Sequence, residues 1–206
     1  MAAKKAKATT TKNDKSASPQ AKATNVGKTS AKPSAKASPK PTTPTKAAKP
    51  QAASGKAVSE GDKAPAFSLP DESGKVVSST SLAGKPYVLY FYPKDDTPGC
   101  TTEACDFRDN LKAFNDAKVR VLGVSPDNSS RHTKFKEKYG LTFTLLADEQ
   151  KELIGAYGVW VEKQNYGRSY MGVERSTFLI DKTGTVKKVW HKVRVAGHVK
   201  DVLSSV

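Results

Sequence analysis

The sequence predicts an α/β domain, a mixed central sheet flanked by helices, preceded by a disordered Lys/Ala/Pro-rich N-terminal tail. Three observations carry that reading. Composition changes sharply near residue 57. The six-residue run Tyr87–Tyr92 is continuously apolar and aromatic. Around it, strand-like segments alternate with helical ones, the pattern of helices packed on a sheet.

Residues 1–56 contain 13 Lys, one acid (Asp14) and no Phe, Trp or Tyr, for a net charge of +12. Residues 57–206 carry 22 Lys+Arg, 19 Asp+Glu and all 16 aromatics, a net +3. The chain's +15 therefore belongs mostly to the tail, and one domain fills residues 57–206. With almost no large apolar side chain to bury, residues 1–56 cannot offset the entropy of ordering a backbone and are expected to be disordered. Their use stays open among three readings. They are a solvated linker, a polycation that contacts DNA non-specifically by neutralising phosphates, or a transit peptide. In composition alone they resemble the tails of linker histones and histone-like bacterial proteins. The lack of interleaved aromatics argues against single-strand recognition, and the lack of Arg before Arg108 argues against a transit peptide.

No apolar run approaches the roughly 18 residues that cross a bilayer, so no membrane association is expected. Early lysines without an apolar h-region do not make a secretory signal. The expected location is the cytoplasm, with nucleoid or nuclear association through the tail left open. In a reducing compartment, two cysteines point to redox cycling and not to a disulfide scaffold.

From Val58 the elements run in order. Ala66–Pro70 is a short extended segment, Glu72–Lys75 a turn, Val76-Val77 a strand and Ser81–Lys85 a helical turn. Tyr87–Tyr92, ended by Pro93, reads as a strand buried on both faces, as in the middle of a parallel sheet. Cys100 to about Ala117 is helical, with Phe107, Leu111 and Phe114 on one face. Val119–Val124 is a strand. Ser129–Tyr139 is a helix with Asn128 as N-cap and Gly140 as its stop. Thr142–Leu146 is a strand and Lys151–Tyr157 a short helix. Ser176–Ile180 and Val186–Val193 flank the turn Asp181–Gly184, and His198–Leu203 closes the chain as a helix. The thioredoxin-like fold is the smallest common architecture that fits.

The informative segment is Pro93-Lys94-Asp95-Asp96-Thr97-Pro98-Gly99-Cys100, followed by Thr101-Thr102-Glu103-Ala104-Cys105. Cys100 follows a Pro-Gly turn and opens a helix, where free N–H groups and the positive end of the dipole favour an anionic sulfur. Thr97 could offer its hydroxyl to the sulfur or to a bound oxygen. If both cysteines were merely small core residues, nothing would explain the loop–helix junction. Cys105 lies five residues on. In an intact helix that is a rise of about 7.5 Å, with Cα atoms roughly 8–9 Å apart. A disulfide needs less than about 7 Å, so closing the pair requires the first turns of the helix to unwind. That points to oxidation of Cys100 in the folded form, followed by condensation with Cys105. A zinc site from Cys100, Cys105, His191 and His198 is disfavoured by the x4 thiol spacing, and His132, on a polar helix, reads as a surface residue.

The segment from Phe91 through Cys100 and Cys105 to Asp109 resembles the active site of peroxiredoxins, in the peroxiredoxin Q or bacterioferritin-comigratory branch. The family's P-x-x-x-T-x-x-C pattern falls on Pro93, Thr97 and Cys100, and the branch's resolving cysteine at plus five falls on Cys105. Gly172–Asp181 is similar to the segment carrying the family's active-site arginine, here Arg175, and Gly197–Leu203 to that branch's ending. The resemblance spans about Val58 to Val206; the tail has no counterpart. It implies that Cys100 attacks hydrogen peroxide or a small alkyl hydroperoxide. Arg175 would stabilise the thiolate and the leaving oxygen, Thr97 would hydrogen-bond sulfur and peroxide, and Pro93 would shield the sulfur from water. Cys105 would resolve the sulfenic acid, and thioredoxin or a similar dithiol protein would reduce the disulfide. No bound cofactor or metal is implied, and a monomer is expected. For Arg175 a surface ion pair with Glu174 stays open. Two other functions compete: a nucleic-acid-associated protein acting through the tail, and a general disulfide oxidoreductase, which C-x4-C in place of C-x-x-C disfavours.

Overall fold

The computed structural model describes residues 57–165 and 167–206; the tail, its expected disorder and its DNA contact lie outside the described residues. In chain order the strands are β1 (Ser68–Pro70), β2 (Val76–Ser78), β3 (Tyr87–Phe91), β4 (Arg120–Ser125), β5 (Thr144–Ala147), β6 (Trp160–Asn165), β7 (Arg168–Val173), β8 (Ser176–Ile180) and β9 (Val186–Trp190). The helices are α1 (Pro98–Asp116), α2 (Ser129–Tyr139), α3 (Glu152–Ala156) and α4 (His198–Leu203), with a 3-10 turn at Ser79–Leu82.

All five residues of β3 are buried, and β3 is the middle strand of the order β5-β4-β3-β8-β9. It runs parallel to β4, which runs parallel to β5, and antiparallel to β8. The sheet is therefore mixed, as expected, and the fold is thioredoxin-like. Alternation along β3 sends side chains to two separate cores. Tyr87, Leu89 and Phe91 join Leu153, Ile154 and Tyr157 of the α3 region and Phe178. Val88 and Tyr90, with Tyr92 beyond the strand, join Phe107 and Phe114 of α1, Phe135 of α2 and Val199 and Val202 of α4. Tyr90 stacks on Phe107 with ring centroids 4.6 Å apart. Its ring occupies the space a side chain at position 123 would take, since a Cβ on Gly123 would lie 2.7 Å from Tyr90 Oη.

Caps form where the sequence places them. The Asn128 side chain accepts from the Arg131 N–H, and Gly140 ends α2 in the left-handed region at φ 61. Boundaries shift by one or two residues at β4, β5 and α3, and β9 stops at Trp190. One element was not expected: the hairpin β6–β7, paired from Trp160↔Val173 to Asn165↔Arg168 and separate from the main sheet. No helix among the described residues is long and apolar enough to cross a membrane.

Candidate active site

α1 starts at Pro98, two residues earlier than the sequence suggests, with Thr97 as N-cap in an extended conformation. Proline costs nothing at the first helical position, because its missing N–H would have no intrahelical partner. Cys100 is thereby the third residue of the helix, in the turn whose N–H groups are unspent. It is 1% exposed. Cys105, in the next turn, is half-buried, and both thiols are free.

Arg175 comes from a distant part of the chain. β8 pairs with β3 so that Ser176 faces Phe91, which sets the residue just before β8 beside the exit of β3. Arg175 Nη2 lies 3.2 Å from Cys100 Sγ, and Nη1 donates to Glu103 Oε2. The surface pair with Glu174 is not formed. Glu174 instead accepts from Ser176 Oγ at 3.2 Å and lies 3.1 Å from His191 Nδ1. Gly99 leaves room for the guanidinium, since a Cβ there would come within 3.3 Å of Arg175 Nη2. Burial alone would push Arg175 down. The Glu103 carboxylate and the Cys100 sulfur outweigh it, so the guanidinium is held above its ordinary range.

Glu103 is the functional neighbour that sequence reasoning did not single out. It is fully buried, and its Oε1 has no hydrogen-bond partner among the described residues. Burial pushes its carboxyl up to about 7, against the lowering effect of Arg175. The signal was present: an acid on the apolar face of α1, three residues after Cys100 and four before Phe107.

Pro93 and Thr97 are both half-buried in the loop between β3 and α1. Thr97 Oγ1 donates to the Lys94 carbonyl at 3.1 Å, not to the sulfur. Two aspartates fasten this loop. The Tyr92 hydroxyl donates to Asp95 Oδ1 at 2.7 Å, His132 Nδ1 lies 2.7 Å from Asp95 Oδ2, and the Asp95 N–H donates to Asp127 at 2.7 Å. His132 is thus no surface residue; it is 0% exposed, on the face of α2 that also buries Phe135. Its Nε2 reaches the Leu146 carbonyl at 3.2 Å, so the ring is fixed at both nitrogens. Asp96, at φ 59, binds Lys138 Nζ through both oxygens at 2.8 Å and accepts from the Tyr139 hydroxyl.

The histidines of the zinc alternative are committed elsewhere. His198 is buried against Thr177 Oγ1 at 2.8 Å, and burial pushes it down to about 4. His191 faces Glu174. Among the described residues no group of three or more His, Cys, Asp or Glu is placed to hold a metal.

The structure thus gathers a buried thiol on a helix N-terminus, a guanidinium on its sulfur and a second thiol one turn away. Residues 60–189 match the family model described as the AhpC/TSA family. The chain belongs to that family. Peroxiredoxin Bcp of Bacillus subtilis is 52% identical over 145 residues, 70% of this chain and 92% of that protein. Peroxiredoxin Bcp of Escherichia coli K12 is 44% identical over 144 residues, again 70% of this chain and 92% of that one. Among solved structures, the bacterioferritin comigratory protein of Xanthomonas campestris, studied for alkyl peroxide reduction in trapped intermediate and ligand complexes, is 42% identical. It superposes with a TM-score of 0.65 over 68% of this chain and 88% of that one. A cysteine-to-serine mutant of Xylella fastidiosa PrxQ gives a TM-score of 0.69 at 36% identity, over 73% of this chain and 96% of that one. This AhpC/TSA member is accordingly a peroxiredoxin of the Bcp/PrxQ kind, a thiol peroxidase, and its two cysteines stand in the folded domain.

Proposed function

We propose that Cys100 is the peroxidatic nucleophile and that hydrogen peroxide and small alkyl hydroperoxides are its substrates. The observation that carries the assignment is the 3.2 Å contact between Arg175 Nη2 and Cys100 Sγ. The thiolate attacks the outer peroxide oxygen, the O–O bond breaks, and the leaving alkoxide or hydroxide takes a proton to become alcohol or water. The sulfur keeps the transferred oxygen as sulfenic acid. Negative charge that starts on sulfur ends on the leaving oxygen, and a fixed guanidinium beside both is a preorganised electrostatic partner for that transfer. Pro93 walls the sulfur from water, and the Thr97 hydroxyl turns from the Lys94 carbonyl to the peroxide when substrate is bound. Cys105 then attacks the sulfenic sulfur, expelling water and forming an intramolecular disulfide. A dithiol protein of the thioredoxin type returns both thiols at the cost of its own oxidation. The chain acts as a monomer. A second reading concerns residues 1–56, whose +12 charge with a single acid suits non-specific contact with a nucleic-acid backbone.

Peroxide consumption coupled to a thioredoxin system, compared for wild type, Cys100→Ser, Cys105→Ser and Arg175→Lys, tests the assignment. Cys100→Ser loses all turnover. Cys105→Ser oxidises once to sulfenic acid and stops. Arg175→Lys, which cannot span sulfur and Glu103 with one planar group, reacts with peroxide about 100-fold more slowly. Turnover by Cys100→Ser would refute the reading.

A further inference from the structure

α1 is an unbroken helix from Pro98 to Asp116, so Cys100 and Cys105 cannot meet until its first turns open. The contacts on either side of that stretch decide how far the opening spreads. On the N-terminal side, Asp95 is locked in the buried cluster with Tyr92 and His132, while Asp96 is held at the surface by Lys138 and the Tyr139 hydroxyl. On the C-terminal side, Arg108 Nη1 donates to the Tyr139 main-chain carbonyl. One residue at the end of α2 therefore grips both flanks, Asp96 through its hydroxyl and Arg108 through its carbonyl. Both cysteines lie between the two grips.

We propose that the last turn of α2, Lys138 and Tyr139, is a clamp that sets the boundaries and ease of the opening from which Cys105 reaches Cys100. They are positioning residues for the disulfide-forming step, and the inference rests on the cysteine roles assigned above. On the N-terminal side the clamp's hold on Asp96 lies next to the separate anchorage of Asp95, and the two differ in strength. The Asp95 anchorage is buried at 3% exposure and survives the opening. The Asp96 arm is a surface ion pair, with Asp96 45% and Lys138 57% exposed, and contacts of that kind are cheap to break. Asp96 also sits in the left-handed region, and that strain is released when the loop lets go. With both flanks tethered, the open stretch is about ten residues long, and short loops keep their contents close. The clamp sets a compromise. A tighter one leaves the sulfenic acid waiting for a second peroxide, which takes it to sulfinic acid. A looser one disperses the thiol–guanidinium site.

The test uses the full chain and the double variant Lys138→Met/Tyr139→Phe, which frees Asp96 but keeps the carbonyl for Arg108 and touches neither cysteine. After a single pulse of hydrogen peroxide, disulfide closure is followed by rapid quenching and mass measurement of alkylated thiols. Closure accelerates about three- to tenfold, the span expected for losing an exposed ion pair and one hydrogen bond. The peroxide concentration that produces sulfinic acid rises in step. Amide exchange increases in residues 97–106 and stays unchanged in β3 and β8. Lys138→Arg, with Tyr139 intact, keeps the ion pair and closes at the wild-type rate. Closure at the wild-type rate in the double variant overturns the clamp, as does faster exchange spread evenly over α1, β3 and β8, the mark of a general loss of stability. A wild type that forms no Cys100–Cys105 disulfide refutes the cysteine assignment itself, so the two failures are separable.

Discussion

Glu103 and Cys100 share one guanidinium, and their claims on it differ in kind. The buried sulfur lies 3.2 Å from Arg175 Nη2, whereas Glu103 is a fully buried acid that pairs with Nη1 through one oxygen and has its second unpartnered among the described residues. Because burial raises its carboxyl from 4.5 to about 7, the folded protein binds this proton more tightly than the unfolded chain. Stability from this group is therefore greatest in acid. It falls as pH rises from about 4.5 to 7 and levels off above, since the unfolded chain has already lost the proton in that window. His198, pushed down to about 4, works the other way, losing stability as pH falls from 6.5 to 4. Only a difference between variant and wild type isolates one group. In urea unfolding at pH 5 and pH 8, Glu103→Gln loses stability relative to wild type at pH 5 and recovers or exceeds it at pH 8. A pH-independent difference would mean that Glu103 stays charged throughout.

Among the elements, β3 was the most legible and β6–β7 the least, for one physical reason. A strand buried on both faces reads as a nearly continuous apolar run, and Tyr87–Tyr92 announces itself even in isolation. The hairpin β6–β7 stands apart from the main sheet, with Tyr170 and Met171 about half exposed, so no alternation was imposed on its sequence. The same logic separates the site residues. Cys100, Cys105, Thr97, Pro93 and Arg175 were singled out because they lie in two patterned segments, and the structure brings Arg175 to Cys100 while leaving the Thr97 hydroxyl on the Lys94 carbonyl. His132 was misread because α2 is mostly polar, and a polar residue on the buried face beside Phe135 adds nothing to the apolar pattern. Gly123 makes the packing of β3 against β4 testable. An alanine there would set its Cβ 2.7 Å from both Leu145 Cδ2 and Tyr90 Oη, in a core with no slack. Gly123→Ala should lower unfolding free energy by about 1–3 kcal/mol, with the urea midpoint falling and the slope unchanged.

At the scale of the whole molecule the charge is unevenly spread along the chain. The peroxidase elements lie within residues 57–206, which carry a net +3, whereas residues 1–56 carry +12. A chain truncated to residues 57–206 should keep the peroxide-consumption rate of the full chain within about twofold. Retention of the full chain on duplex DNA should fall steeply between roughly 50 and 200 mM salt, the mark of counterion release, and be absent after truncation. Equal retention of both forms at every salt concentration would remove the polycation reading.

The pairing of Phe91 with Ser176 has a consequence for how such a site can change over time. Arg175 is 75 residues from Cys100 along the chain, yet their meeting depends on none of that length. The ruler is the β3–β8 register, graduated in steps of about 3.4 Å, with odd and even marks facing opposite sides of the sheet. Loops and the β6–β7 hairpin can gain or lose residues without moving the guanidinium. A slip of one residue between β3 and β8 would carry it to the wrong face altogether. The chemistry is thus insulated from length changes over most of the intervening chain and left exposed to error in one five-residue strand.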